Sequence, residues 1–206
     1  MSLDLGIKIR DTSVLSWVRD MGDQVLSLNH DLDDKSLVID FGGYNGDWSK
    51  KIYTKYQCNI EIYEPFSEFV EQIKEKFSDV EKVKINNFAA GGNNYVANLI
   101  EDDLATRVVE NKSGNIHVID AASVIEKRNI DLLKMNIEGS EYEVFESIFK
   151  NGVVKNVKNY FVQFHPVDNN SIRKYEFIAN ELSKTHDCVF RYPFIWEKWT
   201  LKRGIL

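Results

Sequence analysis

Two cysteines, Cys58 and Cys188, stand in 206 residues. They are too few for a disulfide framework and fit a reducing compartment. Prolines are equally scarce. Pro65, Pro166 and Pro193 lie far apart, and no linker, low-complexity stretch or internal repeat divides the chain. No apolar run approaches the roughly 20 residues that span a bilayer. Met1-Ser2-Leu3-Asp4 lacks the basic and then apolar regions of a signal peptide. Clustered Lys and Arg are missing too. Lys plus Arg total 26 against 32 Asp plus Glu, a net charge of −6. An acidic chain without a basic cluster argues against nucleic acid or an anionic membrane as the main partner. These absences predict a cytoplasmic protein with no membrane insertion. What is present is globular: 43% apolar, 12% aromatic and 28% charged residues, which excludes a disordered or fibrous chain. The length suits one α/β domain over residues 1–206, with a helical segment to residue 35 ahead of the core. Nothing in the sequence sets the oligomeric state.

Strand-like runs alternate with helical periodicity, the pattern of a mostly parallel sheet covered on both faces. Val14, Leu15, Val18, Met21 and Val25 recur near helical spacing and predict an opening helix over 12–28, with that stripe inward. Strands are expected at 36–41, 58–63, 82–88, 130–137 and 160–165. Helical stripes follow Trp48, Phe66 and Ser171. Ser140-Glu-Tyr-Glu143 reads as a capping box opening another helix. Runs at 95–100 and 115–119 could be strands, and residues 93–119 could form either a hairpin or a substrate loop. The pieces 188–192 and 194–201, parted by Pro193, should make an antiparallel hairpin at the sheet edge.

The loop Asp40-Phe-Gly-Gly-Tyr-Asn-Gly-Asp47 joins the first strand to its helix. Its glycines permit a tight turn and close backbone approach by a ligand. It is neither the G-x-G-x-x-G of dinucleotide sites nor a phosphate-binding loop ending in Gly-Lys-Ser/Thr. Asp40 and Asp47 flank the glycines with no Lys or Arg between them. A pyrophosphate would be repelled there, and a cationic ligand welcomed. S-adenosylmethionine, with its sulfonium and ammonium, fits that field. Glu64 ends the second strand, 24 positions after Asp40. An acid so placed grips ribose hydroxyls, and as a strand-end acid Glu64 is expected to hold no core together.

Leu37-Val-Ile-Asp-Phe-Gly-Gly-Tyr-Asn-Gly-Asp47, Tyr63-Glu-Pro-Phe66 and Phe88-Ala-Ala-Gly-Gly92 resemble the cofactor motifs of FkbM-type methyltransferases. Asp131-Leu-Leu-Lys-Met-Asn-Ile-Glu-Gly-Ser-Glu141 resembles that family's most distinctive motif. The resemblance covers roughly residues 36–165. Gln163-Phe-His165 and Tyr192-Pro-Phe-Ile-Trp-Glu197 are similar to a subset of the family. One departure is Asn136, where the family more often has Asp. The resemblance implies a Rossmann-like class I methyltransferase fold, with a mostly parallel seven-stranded sheet, helices on both faces and a C-terminal antiparallel hairpin. It also implies S-adenosylmethionine-dependent methylation of a hydroxyl, commonly on a sugar, glycan or secondary metabolite, with S-adenosylhomocysteine as product.

Ligands of open α/β sheets sit outside the carboxyl ends of the strands. Asp40 is then expected to hold the loop and the methionine ammonium, and Glu64 the ribose. Gly42, Gly43 and Gly46 would let the backbone approach the methionine part. Tyr44 and Pro65 go with their motifs, Asn87 or Phe88 with the adenine, and Asn136 with the methionine part or the acceptor. A hydroxyl acceptor must lose a proton, so a base helps. His165 is the first candidate and Glu138 the second, with a helix-terminal acid or a strand-end core histidine as the alternatives. Lys134, inside an apolar strand, needs a partner: it would orient the acceptor, pair with Glu138 or sit in a structural ion pair. Asn136, Glu138 and His165 could together attract a hard divalent ion, but no tight ligand spacing supports a metal. Tyr192, Phe194, Trp196 and Trp199 read better as core than as a sugar-stacking face. Two further readings remain: a nicotinamide-dependent oxidoreductase or epimerase on a similar sheet, and a catalytically silent methyltransferase-like binding protein.

Overall fold

Leu-Val-Ile-Asp-Phe, apolar at four of five positions, suits a strand buried on both faces, and in the computed structural model it forms β1 (Leu37–Phe41). Residues 3–102, 105–110 and 114–204 are described. Helices α1 (Leu3–Arg19), α2 (Asp47–Tyr56), α3 (Ser67–Lys76), α4 (Ala121–Ile125), α5 (Glu141–Lys150) and α6 (Ser171–Ser183) alternate with strands. The main sheet contains β1, β2 (Asn59–Tyr63), β3 (Val83–Asn86), β8 (Leu132–Met135), β9 (Asn159–Val162), β10 (His186–Tyr192) and β11 (Trp196–Leu201). Its order is β10-β11-β9-β8-β1-β2-β3. Neighbours from β9 to β3 are parallel, and β11 runs antiparallel to both β9 and β10. The seven-stranded, mostly parallel sheet with an edge hairpin is therefore present.

Successive side chains of a strand point to opposite faces, and the core divides accordingly. Ile39 and Phe41 pack with Leu133, Met135, Phe145 and Ile178 on the face of α5 and α6. Val38 packs with Ile60, Ile62, Leu132, Ile52 and Ile73 on the face of α2 and α3. The hairpin aromatics are core: Trp199 and Phe194 are buried, and Trp196 stacks on Phe161 with centroids 4.1 Å apart.

The third strand is shorter than expected. β3 ends at Asn86, and the chain crosses through Asn87 and Phe88 into a second sheet of order β4-β7-β5-β6. Its strands are β4 (Ala89–Gly91), β5 (Tyr95–Asp102), β6 (Ala105–Glu110) and β7 (Ile116–Asp120). The 93–119 region is thus a β5–β6 hairpin joined to β7.

The opening helix differs most from its periodicity. It starts at Leu3 and ends at Arg19, and the stripe expected inside faces out: Leu15 is 74% and Val18 66% exposed. The inward face carries Gly6, Ser13 and Trp17. Helix α1 must lie close to the 166 turn, where a Cβ on Gly6 would stand 2.8 Å from the Pro166 side chain. Small residues permit that approach. Trp17 anchors the far end, its ring 5.3 Å from Tyr192 and its Nε1 donating to Asp23 at 3.0 Å. Leu15→Gln should therefore leave the urea midpoint near wild type, within about 0.5 kcal/mol. Trp17→Ala should cost about 3–5 kcal/mol. The reverse ranking would show that the apolar stripe is the buried one.

Candidate active site

The parallel register sets Asp40 of β1 directly beside Lys134 of β8. Both side chains are shut from solvent, at 0% and 6% exposure, and their charged atoms meet at 2.8 Å. Ser49 Oγ donates to the second Asp40 oxygen at 2.6 Å. Lys134 Nζ also donates to the Gly42 carbonyl at 2.6 Å and lies 5.7 Å from the centre of the Trp48 ring. Of the readings open for Lys134, the structural ion pair is the one that forms: it pairs with Asp40 rather than Glu138, with two of its three N–H donors on Asp40 and Gly42. Asp40, enclosed and with one partner on each oxygen, supports the glycine loop from below.

The loop above this pair requires glycine. Gly42 has φ +85°, and a Cβ there would stand 2.0 Å from the Asn136 carbonyl oxygen. Its N–H donates to the Tyr63 carbonyl at 2.9 Å. Gly46, at φ +80°, opens α2. Tyr44 is exposed at φ +48°, its ring edge-on to Phe69 at 4.4 Å.

Glu64 is buried just past the end of β2. Its Oε2 accepts from the Tyr44 N–H at 2.7 Å and its Oε1 from the Phe66 N–H at 3.0 Å. Burial pushes its carboxyl above the usual range against the pull of those two amides. Glu64 thereby ties the glycine loop to the start of α3. Each oxygen keeps a second lone pair for a ligand hydroxyl. Asn87 Nδ2 donates to the carbonyls of Glu64 and Pro65, leaving Phe88 exposed beside that turn.

A cavity of about 80 Å³ opens between Gly42, Glu64, Pro65, Phe66, Ala90 and Asn136. No Lys or Arg lines it. Asn136 Oδ1 is buried with no hydrogen-bond partner among the described residues, an exception it shares with His30 Nδ1, since buried polar atoms are ordinarily paired. A second cavity of about 310 Å³ lies alongside and shares Glu138 and Ser140 with the first; Tyr95, Tyr142 and Glu143 also line it.

The expected capping box does not form. Ser140 makes no side-chain cap at α5, and Glu143 accepts from the Tyr95 hydroxyl instead. The amides ahead of the helix are met by Glu141, fully buried, which accepts from Ile137 N–H and Gly139 N–H, each at 2.9 Å. Glu138 is thus released from the helix-terminal role. It sits at φ +54°, 46% exposed, with Oε2 3.5 Å from His165 Nε2. Backbone strain at a non-glycine residue recurs at functional sites. Glu141 escaped sequence reasoning although it closes the 131–141 motif, because an acid one residue into a helix carries no signal of its own. No group of three His, Cys, Asp or Glu side chains among the described residues is arranged to hold a metal ion. His30 and His186 are buried with ring nitrogens on the carbonyls of Ser27 and Val157.

A family model described as the methyltransferase FkbM domain matches residues 40–192. No curated protein matches the sequence. Among solved structures, the fold is similar to a putative rRNA methylase from Clostridium thermocellum, at 9% identity over 84% of this chain and 90% of that one, with TM-score 0.53. An rRNA methylase from Streptococcus thermophilus aligns at 10% identity over 83% and 90%, TM-score 0.51. A putative methyltransferase from Streptococcus mutans, solved in complex with SAH, aligns at 8% over 83% and 91%, TM-score 0.50. These likenesses carry the class I methyltransferase fold. No helix among the described residues is long and apolar enough to cross a membrane.

The buried pair gives a direct test of the loop's support. Lys134→Met strands the Asp40 carboxylate and should cost about 3–5 kcal/mol in urea unfolding, much of it recovered when Asp40→Asn is added. Equal losses in the single and double variants would show that the pair is not coupled.

Proposed function

The chain belongs to the FkbM methyltransferase family, and we propose that it transfers a methyl group from S-adenosylmethionine to a hydroxyl of a sugar, glycan or secondary metabolite. Family membership sets aside the oxidoreductase or epimerase reading. The observation that carries the cofactor is the cleft at the ends of β1, β2 and β8. It joins a close-approach glycine turn, a buried carboxylate with spare lone pairs and an unmet amide oxygen, and it has no basic side chain. The SAH in the similarly folded Streptococcus mutans protein supports the same ligand.

The residues present fit that group. Glu64 would take the ribose hydroxyls, and the backbone at Gly42, Gly43 and Gly46 would line the methionine part. Asn136 Oδ1, without a partner, would accept from the ammonium. Asn87 and Phe88, with Tyr44 and Pro65 at the rim, would border the adenine. When bound, S-adenosylmethionine supplies a methyl carbon already activated by its sulfonium. The chain's own task is positioning and proton removal. His165 Nε2 stands 3.5 Å from Oε2 of Glu138, which lines both cavities, and His165 is the base that takes the hydroxyl proton. Asp40 and Lys134 keep the glycine turn in shape and touch neither ligand. The acidic chain and a second cavity whose Glu138, Glu143 and Glu146 outnumber its one Lys174 favour an uncharged or cationic acceptor over RNA, despite the rRNA methylases among its fold neighbours.

Calorimetry and thermal shift with S-adenosylhomocysteine beside NAD(H) check the cofactor. Ligand at 100 times its Kd should stabilise the native state by about 2.7 kcal/mol. Glu64→Gln, which keeps one acceptor for the amides, should weaken binding by about 1.5–3 kcal/mol through a lost charge-assisted hydrogen bond. Absence of any shift at millimolar S-adenosylhomocysteine would overturn the reading. Mass spectrometry of glycans, metabolites and RNA with a labelled methyl donor would then identify the acceptor. Binding without turnover on any of them would favour the silent, cofactor-binding protein.

A further inference from the structure

Behind the His165 ring stands a carboxylate that neither ligand would touch. Glu141 is 0% exposed. Its Oε1 accepts from Ile137 N–H and lies 2.9 Å from His165 Nδ1, while its Oε2 accepts from Gly139 N–H. Two backbone donors thus fix the carboxylate independently of the ring. The third partner must be a donor as well, because an ionised carboxylate only accepts. Nδ1 therefore carries the proton, and the lone pair of the neutral ring is on Nε2. That nitrogen lies 3.5 Å from Oε2 of Glu138, a residue that lines both cavities. The His165 backbone is held too, its carbonyl accepting from the Tyr142 hydroxyl at 2.7 Å.

We propose that Glu141 is a positioning residue that locks the His165 imidazole with its proton on Nδ1 and its basic lone pair on Nε2, aimed at the acceptor. The role rests on the reading of His165 as the base; the lock itself does not. In the step it serves, the acceptor O–H bond breaks as the new O–C bond forms. The proton passes to Nε2, and the pair of the broken C–S bond stays on sulfur. The imidazolium so formed is opposed by Glu141 at Nδ1, then returns its proton to solvent at the exposed Glu138. Three charged groups face the ring: Glu141 from α5, Glu138 from the loop ahead of it and Arg10 from α1. Burial drives the imidazole down, but the charge and hydrogen bond of Glu141, with the charge of Glu138, outweigh burial and Arg10, so it titrates above its ordinary value. Only the neutral ring accepts a proton, so the rate should rise with pH through that raised value.

The test is 15N NMR of His165 in the full chain, with pH–rate profiles of wild type and Glu141→Gln. Wild type should show the Nδ1–H tautomer when neutral. In Glu141→Gln, the ring titration and the acid limb of the rate profile should move together to lower pH. Turnover should fall, by as much as roughly 10²–10⁴-fold if the whole contribution of a base is lost, with S-adenosylhomocysteine affinity unchanged. A neutral Nε2–H ring in wild type overturns the proposal without any variant. So does a Glu141→Gln protein whose turnover drops while titration and tautomer stay put, since that marks a structural role. His165→Gln with full turnover would instead sink the base reading, leaving the measured tautomer as it stands.

Discussion

Beneath the glycine turn, an ammonium and a carboxylate face each other across neighbouring parallel strands, both out of reach of solvent. Such a pair is costly to bury unless further hydrogen bonds complete it. Ser49 completes the carboxylate, while the Gly42 carbonyl and the Trp48 face complete the ammonium. The shape of the turn follows from this. Lys134 holds the Gly42 carbonyl, the Gly42 N–H reaches β2, and the left-handed backbone between them admits no side chain. Every cofactor contact assigned to the glycines depends on an ion pair one layer below them.

Two more buried acids repeat that logic along the strand ends. Glu64 collects the amides of Tyr44 and Phe66, and Glu141 those of Ile137 and Gly139. A carboxylate satisfied by backbone donors can be buried where a bare one could not. Each acid therefore fixes a loop that would otherwise be free to move. Asp40 is neutralised by Lys134, whereas Glu64 faces the smaller cavity, where no Lys or Arg among the described residues lies beside it. The negative field left over matches a sulfonium and disfavours a phosphate.

The second sheet gives the cleft its other wall. β4 leaves β3 through Asn87 and Phe88 and brings Ala89 and Ala90 to the cavity. Tyr95 of β5 reaches the adjoining cavity beside Glu143. That cavity is lined by Tyr95 of the second sheet, the 138–140 loop, and residues of α5 and α6.

The central strands were legible because runs such as Leu-Val-Ile-Asp-Phe have few places to go except a doubly covered sheet. The glycine turn was legible because glycine spacing carries its backbone geometry locally. The direction of α1 was not: Leu15 and Val18 repeat at helical spacing, but Gly6 and Trp17 fit the surface against which the helix packs. Periodicity reports a face and says nothing of which neighbour exists to cover it. Nor did order along the chain reveal partners. Lys134 and Asp40 are 94 positions apart and meet only through strand register, and Glu141 and His165, 24 apart, meet only because α5 and the end of β9 converge. Sequence alone determined the fold class and which residue types gather at the strand ends. Tertiary structure decided which of those acids would be spent on backbone and cation and which would be left facing a ligand, because burial and register, set only by packing, choose the partner of each charge.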